Sequence, residues 1–279
     1  MKKRLFAMMT TISIVSLALV GCGEDKVAST EAQGEGVEVL NVGISGPNSP
    51  KVAFLNEKGE LTGFEVEVLK ELDARLPQYE FNIQAMDFAN LFVALDSNRV
   101  DFISGNLRRN AEREAKYIFT KEAYNFSPYR IAVLEENNDI QSLETAKGKK
   151  IGVAASTLQA QILEKYLEEN PGAFEIKYVK GDVIGSELQS GRIDAYVSPD
   201  FSIDILVENT GINLKKVGDA LVPIGGSAEE IGAHYPLSKN DEALRDELDK
   251  ALKEIKEDGT LREISLEWFN QDYSEVHKQ

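Results

Sequence analysis

Side chains equipped for covalent or metal chemistry are scarce in this chain. It carries one cysteine, Cys22, and two histidines, His234 and His277. No His/Cys/Asp group falls at metal-ligand spacing, so a zinc centre is not expected. No Ser/His/Asp or Cys/His arrangement stands out for nucleophilic catalysis. Residues 181–185 and 223–227 hold glycines without the frame of a phosphate cradle, and no motif asks for a cofactor. Acids are plentiful, 47 Asp plus Glu against 31 Lys plus Arg, but abundance alone does not make a catalytic pair. That excess of acid weighs against a nucleic-acid partner and against charge-driven adhesion to an anionic bilayer.

The lone thiol belongs to a different pattern. Lys2, Lys3 and Arg4 precede an apolar run over residues 5–20, and small residues follow, which reads as an export signal. The run is shorter than the roughly 20 residues of a spanning helix. Leu19-Val20-Gly21-Cys22 resembles a bacterial lipobox, which implies cleavage before Cys22 and lipid on its sulfur. A plain signal peptide that happens to hold a cysteine is the alternative. Loss of residues 1–21 removes three cations and no acid, taking the net charge from −16 to −19. No disulfide can then staple the fold, so apolar burial holds it together. Residues 22–36 are polar, without apolar periodicity beyond Cys22, and read as a flexible tether.

Ordered structure is expected from residue 37. Residues 37–43 alternate like a strand and stop at a loop over 46–50. Residues 53–55 and Leu61 flank a hairpin-like turn. Phe64, Val66, Val68, Leu69, Leu72 and Leu76 form a helical stripe ended by Pro77. Strands at 81–83 and 100–103 bracket a short helix at 91–95. The pattern then recurs: strands at 150–153, 174–179 and 193–197, helices at 158–169, 184–189 and 203–209. Residues 241–269 form an amphipathic helix broken at Asp258-Gly259. Strands alternating with helices predict an α/β protein with largely parallel sheets, here as two similar lobes with a helical C-terminal return.

Six blocks in register resemble the bacterial extracellular solute-binding proteins of family 3, type II binding proteins that feed amino acids to ABC importers. They are Gly59-Glu60-Leu61-Thr62-Gly63-Phe64-Glu65-Val66-Glu67-Val68, residues 86–101, residues 112–120 with Glu112-Arg113, residues 143–153, Ser190-Gly191-Arg192-Ile193-Asp194-Ala195, and residues 252–269. They span about residues 39–269. The resemblance implies a two-lobe α/β fold with two hinge strands and a ligand in the interlobe cleft. Residues 37–131 and 231–279 would form lobe 1, and 132–230 lobe 2. The chain would leave lobe 1 near residues 131–135 and return near 230–234. Hinge closure over ligand would let an importer tell loaded from empty protein.

The same resemblance suggests ligand residues. Arg113 matches the family's carboxylate anchor, and a planar guanidinium suits bidentate recognition; a solvated helix arginine is the other reading. Ser104, Gly105 and Asn106 precede it in the segment that meets ligand in relatives. Phe88 matches an aromatic wall, or else fills ordinary core. Ser49-Pro50 stands where many relatives have a tyrosine wall, which Phe54 or Tyr124 would have to replace. Ser156 and Thr157 match a loop donating to the carboxylate before a helix, where free N–H groups favour an anion; Thr157 would equally serve as an N-cap. Asp200, one position later than the family's acid, is the candidate for the ammonium, with helix capping as its alternative.

The function implied is a lipid-anchored, monomeric, extracytoplasmic amino-acid-binding protein that hands its cargo to permease subunits without chemistry. Asn106 and residues 116–133 look most like cystine or other sulfur amino-acid binders, with a polar or acidic amino acid as runner-up. A dehydratase of an aromatic precursor acid, or a sensory binding protein, uses the same fold.

Overall fold

A computed structural model describes residues 36–46, 48–223 and 228–276. Cys22, the export signal, nearly all of the tether and His277 lie outside the described residues. Two five-stranded sheets organise the described chain. The first has the spatial order Tyr79–Met86, Glu38–Ser45, Phe102–Ser104, Pro236–Ser238, Tyr117–Phe119. Its first three strands are parallel, and Pro236–Ser238 runs antiparallel to both neighbours. The second has the order Glu175–Tyr178, Lys150–Val153, Ala195–Pro199, Tyr129–Leu134, Leu214–Leu221. Again three strands are parallel and the fourth, Tyr129–Leu134, is antiparallel to its neighbours.

The two sheets therefore share one plan. In each, the earliest of the three parallel strands lies between the other two. Open α/β sheets bind ligands beyond the carboxyl ends of strands where the winding reverses. Those ends are residues 45, 86 and 104 in one sheet and 153, 178 and 199 in the other. In each sheet the fourth strand is the segment that follows the passage from the other sheet. Tyr129–Leu134 already pairs in the second sheet, so the outward passage lies just ahead of residues 131–135. Its residues Ile131 and Val133 are buried in the second core, which fixes that register.

Helices Phe64–Arg75, Glu242–Glu257 and Thr260–Phe269 cover one face of the first sheet. Val42, Ile44 and Phe102 point into that core, with Phe64, Leu69, Leu72, Leu248 and Leu252 from the helices. The break at Asp258-Gly259 is real: Gly259 takes φ 86 ahead of the last helix. Gly63 starts helix Phe64–Arg75 at φ 122, and a Cβ there would lie 2.5 Å from the Val52 carbonyl oxygen. Only glycine satisfies both demands, which gives the glycine of that sequence block a physical reason. A small antiparallel sheet, Asn48–Ser49, Ala53–Leu55 and Leu61–Thr62, sits beside it. Its Phe54 meets Trp268 edge to face at 5.9 Å.

The second sheet has its own core around Tyr129, Ile151, Val153, Leu163, Ala195 and Val197. Helix Asp200–Thr210 starts three residues earlier than its apolar pattern suggests. Its first turn turns toward the other core: Phe201 stacks on Phe269 at 4.8 Å and lies 6.2 Å from Tyr273.

Candidate functional site

Arg113 sits in the short helix Ala111–Lys116, capped by Asn110, whose Oδ1 accepts from the Arg113 backbone N–H at 2.8 Å. The cap fixes where the side chain departs. Its Nη1 donates to the Arg108 carbonyl at 2.9 Å and its Nη2 to the Ser156 carbonyl at 3.3 Å. The guanidinium also lies over the Phe92 ring, 5.3 Å from its centroid. Desolvation lowers the Arg113 pKa, opposed by Tyr129 and Glu112, but a guanidinium stays charged at neutral pH.

Phe88, Arg113, Ser156 and Thr157 come together around a cavity of about 610 Å³ lined from both sheets. Its size suits a small-molecule ligand. Phe88 opens helix Phe88–Asp96 and is 41% exposed, so it belongs to this wall and not to the core. Phe92, one turn later, lines the same cavity. Sequence reading missed Phe92, although its four-residue spacing from Phe88 places both on one helix face. Thr157 does cap helix Leu158–Glu169: its Oγ1 accepts from the Ala160 N–H at 3.3 Å and donates to the Ala154 carbonyl at 2.7 Å. The helix thus opens with its first turn at the cavity.

Gly105 and Asn106 face a second cavity of about 580 Å³, with Ser45, Ser49, Pro50, Tyr196, Ser198 and others. Asn106 adopts φ 54 and Ser156 φ 60. Each sheet therefore offers the cleft a loop with a non-glycine residue in the left-handed region, a strained placement often found at binding sites. Asn106 donates its N–H to the Tyr124 hydroxyl at 2.9 Å, and its carbonyl accepts from Arg108 Nη1 at 2.7 Å. Its Oδ1 is buried without a hydrogen-bond partner.

Ser104 is fully buried and lines neither cavity; its hydroxyl donates to Glu65. Tyr124 is buried too, stacked on Tyr235 at 4.4 Å, so it cannot replace the missing tyrosine wall. Phe54 is engaged with Trp268 and lines neither cavity. The expectation for Asp200 needs correcting. Its carboxylate pairs with Lys216 at 2.9 Å and accepts from the Tyr273 hydroxyl at 2.9 Å. It borders neither cavity, because the packing of Phe201 on Phe269 draws that first turn toward the C-terminal helix. Among the described residues, no group of three or more His, Cys, Asp or Glu is placed to hold a metal, and no helix is long and apolar enough to cross a membrane.

A family profile described as bacterial extracellular solute-binding proteins, family 3, matches residues 40–271. The chain belongs to this family. This solute-binding protein is 37% identical over 279 residues to the L-cystine-binding protein TcyK of Bacillus subtilis (strain 168), covering 98% of each chain. It is 33% identical over 265 residues to the L-cystine-binding protein TcyJ of the same organism, covering 94% of each. A solved structure described as a putative L-cystine ABC transporter from Listeria monocytogenes superposes with a TM-score of 0.73 at 36% identity, covering 86% of this chain and 99% of that one. The two sheets are thus the two lobes of a type II periplasmic-binding-protein fold, and the family is one of solute binders rather than enzymes.

Proposed function

We propose that this protein captures a free amino acid, L-cystine before other sulfur or polar amino acids, and delivers it to the membrane subunits of an ABC importer without chemical change. The lobes, residues 37–131 with 231–279 and residues 132–230, close over the ligand by hinge motion, with strand Tyr129–Leu134 straddling the first boundary. The protein acts as a monomer outside the cytoplasm, held to the membrane by lipid on Cys22.

The observation that carries this reading is Arg113: one guanidinium set between loops of both lobes, at a cavity walled by Phe88 and Phe92. A carboxylate placed there would replace the Arg108 and Ser156 carbonyls with a charge-assisted, bidentate partner. Phe88 and Phe92 would pack on the ligand's apolar atoms, with Ser156 and Thr157 at the start of helix Leu158–Glu169 on the opposite side. Gly105 and Asn106 would serve the ammonium end, with Ser104 buried beneath them. Closure follows because only the closed form meets ligand from both lobes. Relatives described as L-cystine-binding proteins support the choice of cystine.

The test is a thermal-shift screen of the purified full chain against the common L-amino acids, L-cystine, glutathione and aromatic precursor acids. A ligand held only by the native state raises the midpoint. L-Cystine is expected to give the largest rise. A larger rise with another amino acid would correct the cargo, and conversion of an aromatic acid would replace binding by catalysis.

A further inference from the structure

A carboxyl group lies buried under the loop that carries Ser104, Gly105 and Asn106. Glu65, in the first turn of helix Phe64–Arg75, is 1% exposed. The Ser104 hydroxyl donates to one of its oxygens, and the Tyr124 hydroxyl donates to both at 2.9 Å. A hydroxyl has one hydrogen to give. With both hydrogens drawn to Glu65, Ser104 and Tyr124 keep only lone pairs for the loop above them. Tyr124 uses one to accept the Asn106 N–H, which holds Asn106 at φ 54. Asn106 Oδ1, buried and unpartnered, adds another acceptor. An ammonium has three donors and no acceptor, so it needs a surface of this kind. Asp200 does not supply the opposing charge, since its carboxylate is engaged by Lys216 and Tyr273 and borders neither cavity.

We propose that Glu65 is a positioning residue for ligand capture: as a carboxylate it orients the Ser104 and Tyr124 hydroxyls so that the 104–106 loop presents acceptors to the ligand's ammonium, and its protonation undoes that orientation. A protonated Glu65 has a hydrogen of its own to donate. That hydrogen goes to Ser104 or Tyr124 and turns the recipient's hydrogen toward the loop, against the Asn106 N–H that Tyr124 otherwise accepts. The groups facing Glu65 are Ser104 at the end of its strand, Tyr124 after strand Tyr117–Phe119, Tyr235 before strand Pro236–Ser238, and the Arg108 guanidinium with the Asn106 backbone from the loop. Burial raises the Glu65 pKa to about 7, against the lowering effects of Ser104, Tyr124 and Arg108. The empty protein therefore holds a mixture of both forms near neutrality. An ammonium selects the ionised form, so capture releases a proton.

This inference rests on the amino-acid reading above, and L-cystine is the probe. Calorimetric titration of the full chain at pH 6, 7 and 8, in phosphate and in Tris, separates binding from proton release through the different ionisation heats of the buffers. The expected result is a fraction of a proton released near pH 7 and affinity about tenfold higher at pH 8 than at pH 6. Glu65→Gln should bind more weakly, with no proton release and a flat pH profile. Tyr124→Phe, which leaves the carboxyl in place, should weaken binding and alter the profile, and it decides the matter if Glu65→Gln does not fold. Binding by the wild type with no proton release, or an unchanged profile in the variant, overturns the role of Glu65 alone. No heat with L-cystine at any pH overturns the functional reading, and the Glu65 proposal with it.

Discussion

Arg113 Nη2 donates to the Ser156 carbonyl across the cleft at 3.3 Å, joining a helix of the first lobe to a left-handed loop residue of the second. It is a direct polar link between the lobes at the proposed carboxylate position. Carbonyl oxygens are weak partners for a guanidinium, so a ligand carboxylate would displace this bond at small cost. Substituting Arg113 should then remove function and spare the fold. Arg113→Ala should lower stability of the empty protein by no more than about 1 kcal/mol and weaken L-cystine binding by roughly 100-fold or more. Calorimetry paired with ligand-free melting measures both. A large drop in the melting midpoint would instead make Arg113 a structural residue.

Phe88 offers a cleaner separation of packing from binding. Removing a buried phenylalanine costs about 3–5 kcal/mol, but 41% of Phe88 is exposed at the cavity. Phe88→Ala should cost under about 2 kcal/mol, scaled down with its burial, and reduce affinity about tenfold. Denaturant unfolding beside calorimetry checks the ratio. A stability loss at the core value would return Phe88 to the interior.

Asp200 should behave in the opposite way. Its removal leaves Lys216 with Asp204 at 2.7 Å but leaves the Tyr273 hydroxyl without its acceptor in a buried setting. Asp200→Ala should destabilise by about 1–3 kcal/mol and change affinity less than threefold. An affinity loss beyond tenfold with an unchanged midpoint would restore Asp200 as the ammonium partner.

Glu65 and His234 predict opposite responses of stability to pH. The folded pKa of Glu65 is about 7 against an ordinary 4.5, so its contribution falls as pH rises from 4.5 to 7. Burial, helped by the nearby Arg109 charge, lowers His234 to about 3 from an ordinary 6.5, so its contribution falls as pH drops from 6.5 to 3. Between 4.5 and 6.5 the two slopes cancel in the wild type. Glu65→Gln should expose the histidine slope and gain up to about 3 kcal/mol over wild type above pH 7 relative to pH 4.5. Melting curves at half-unit intervals measure the difference, and parallel profiles for variant and wild type would contradict the assignment.

The alternation of apolar residues was enough to read most strands and helices, including the break at Asp258-Gly259, because those elements are set by local patterns. Strands Tyr117–Phe119, Leu214–Leu221 and Pro236–Ser238 escaped notice, since each owes its place to partners far along the chain. The site divides along the same line. Arg113, Phe88 and Thr157, read from motif positions beside helix starts, line one cavity. Asp200 was misread because its surroundings depend on Phe201 meeting Phe269, a contact between residues 68 positions apart. Glu65 stood within a quoted block, but nothing local announces that it is buried under a loop about 40 residues later.

Trp268 is the only tryptophan in the chain. It meets Phe54, whose strand is paired through Ser49↔Ala53 and Asn48↔Phe54 to a segment on the wall of the cleft. The indole is thus wired by two short contacts to the rim where the lobes meet. The protein carries its own optical gauge: emission from one fluorophore should follow cargo loading in real time, with no dye attached and no second indole to blur the signal.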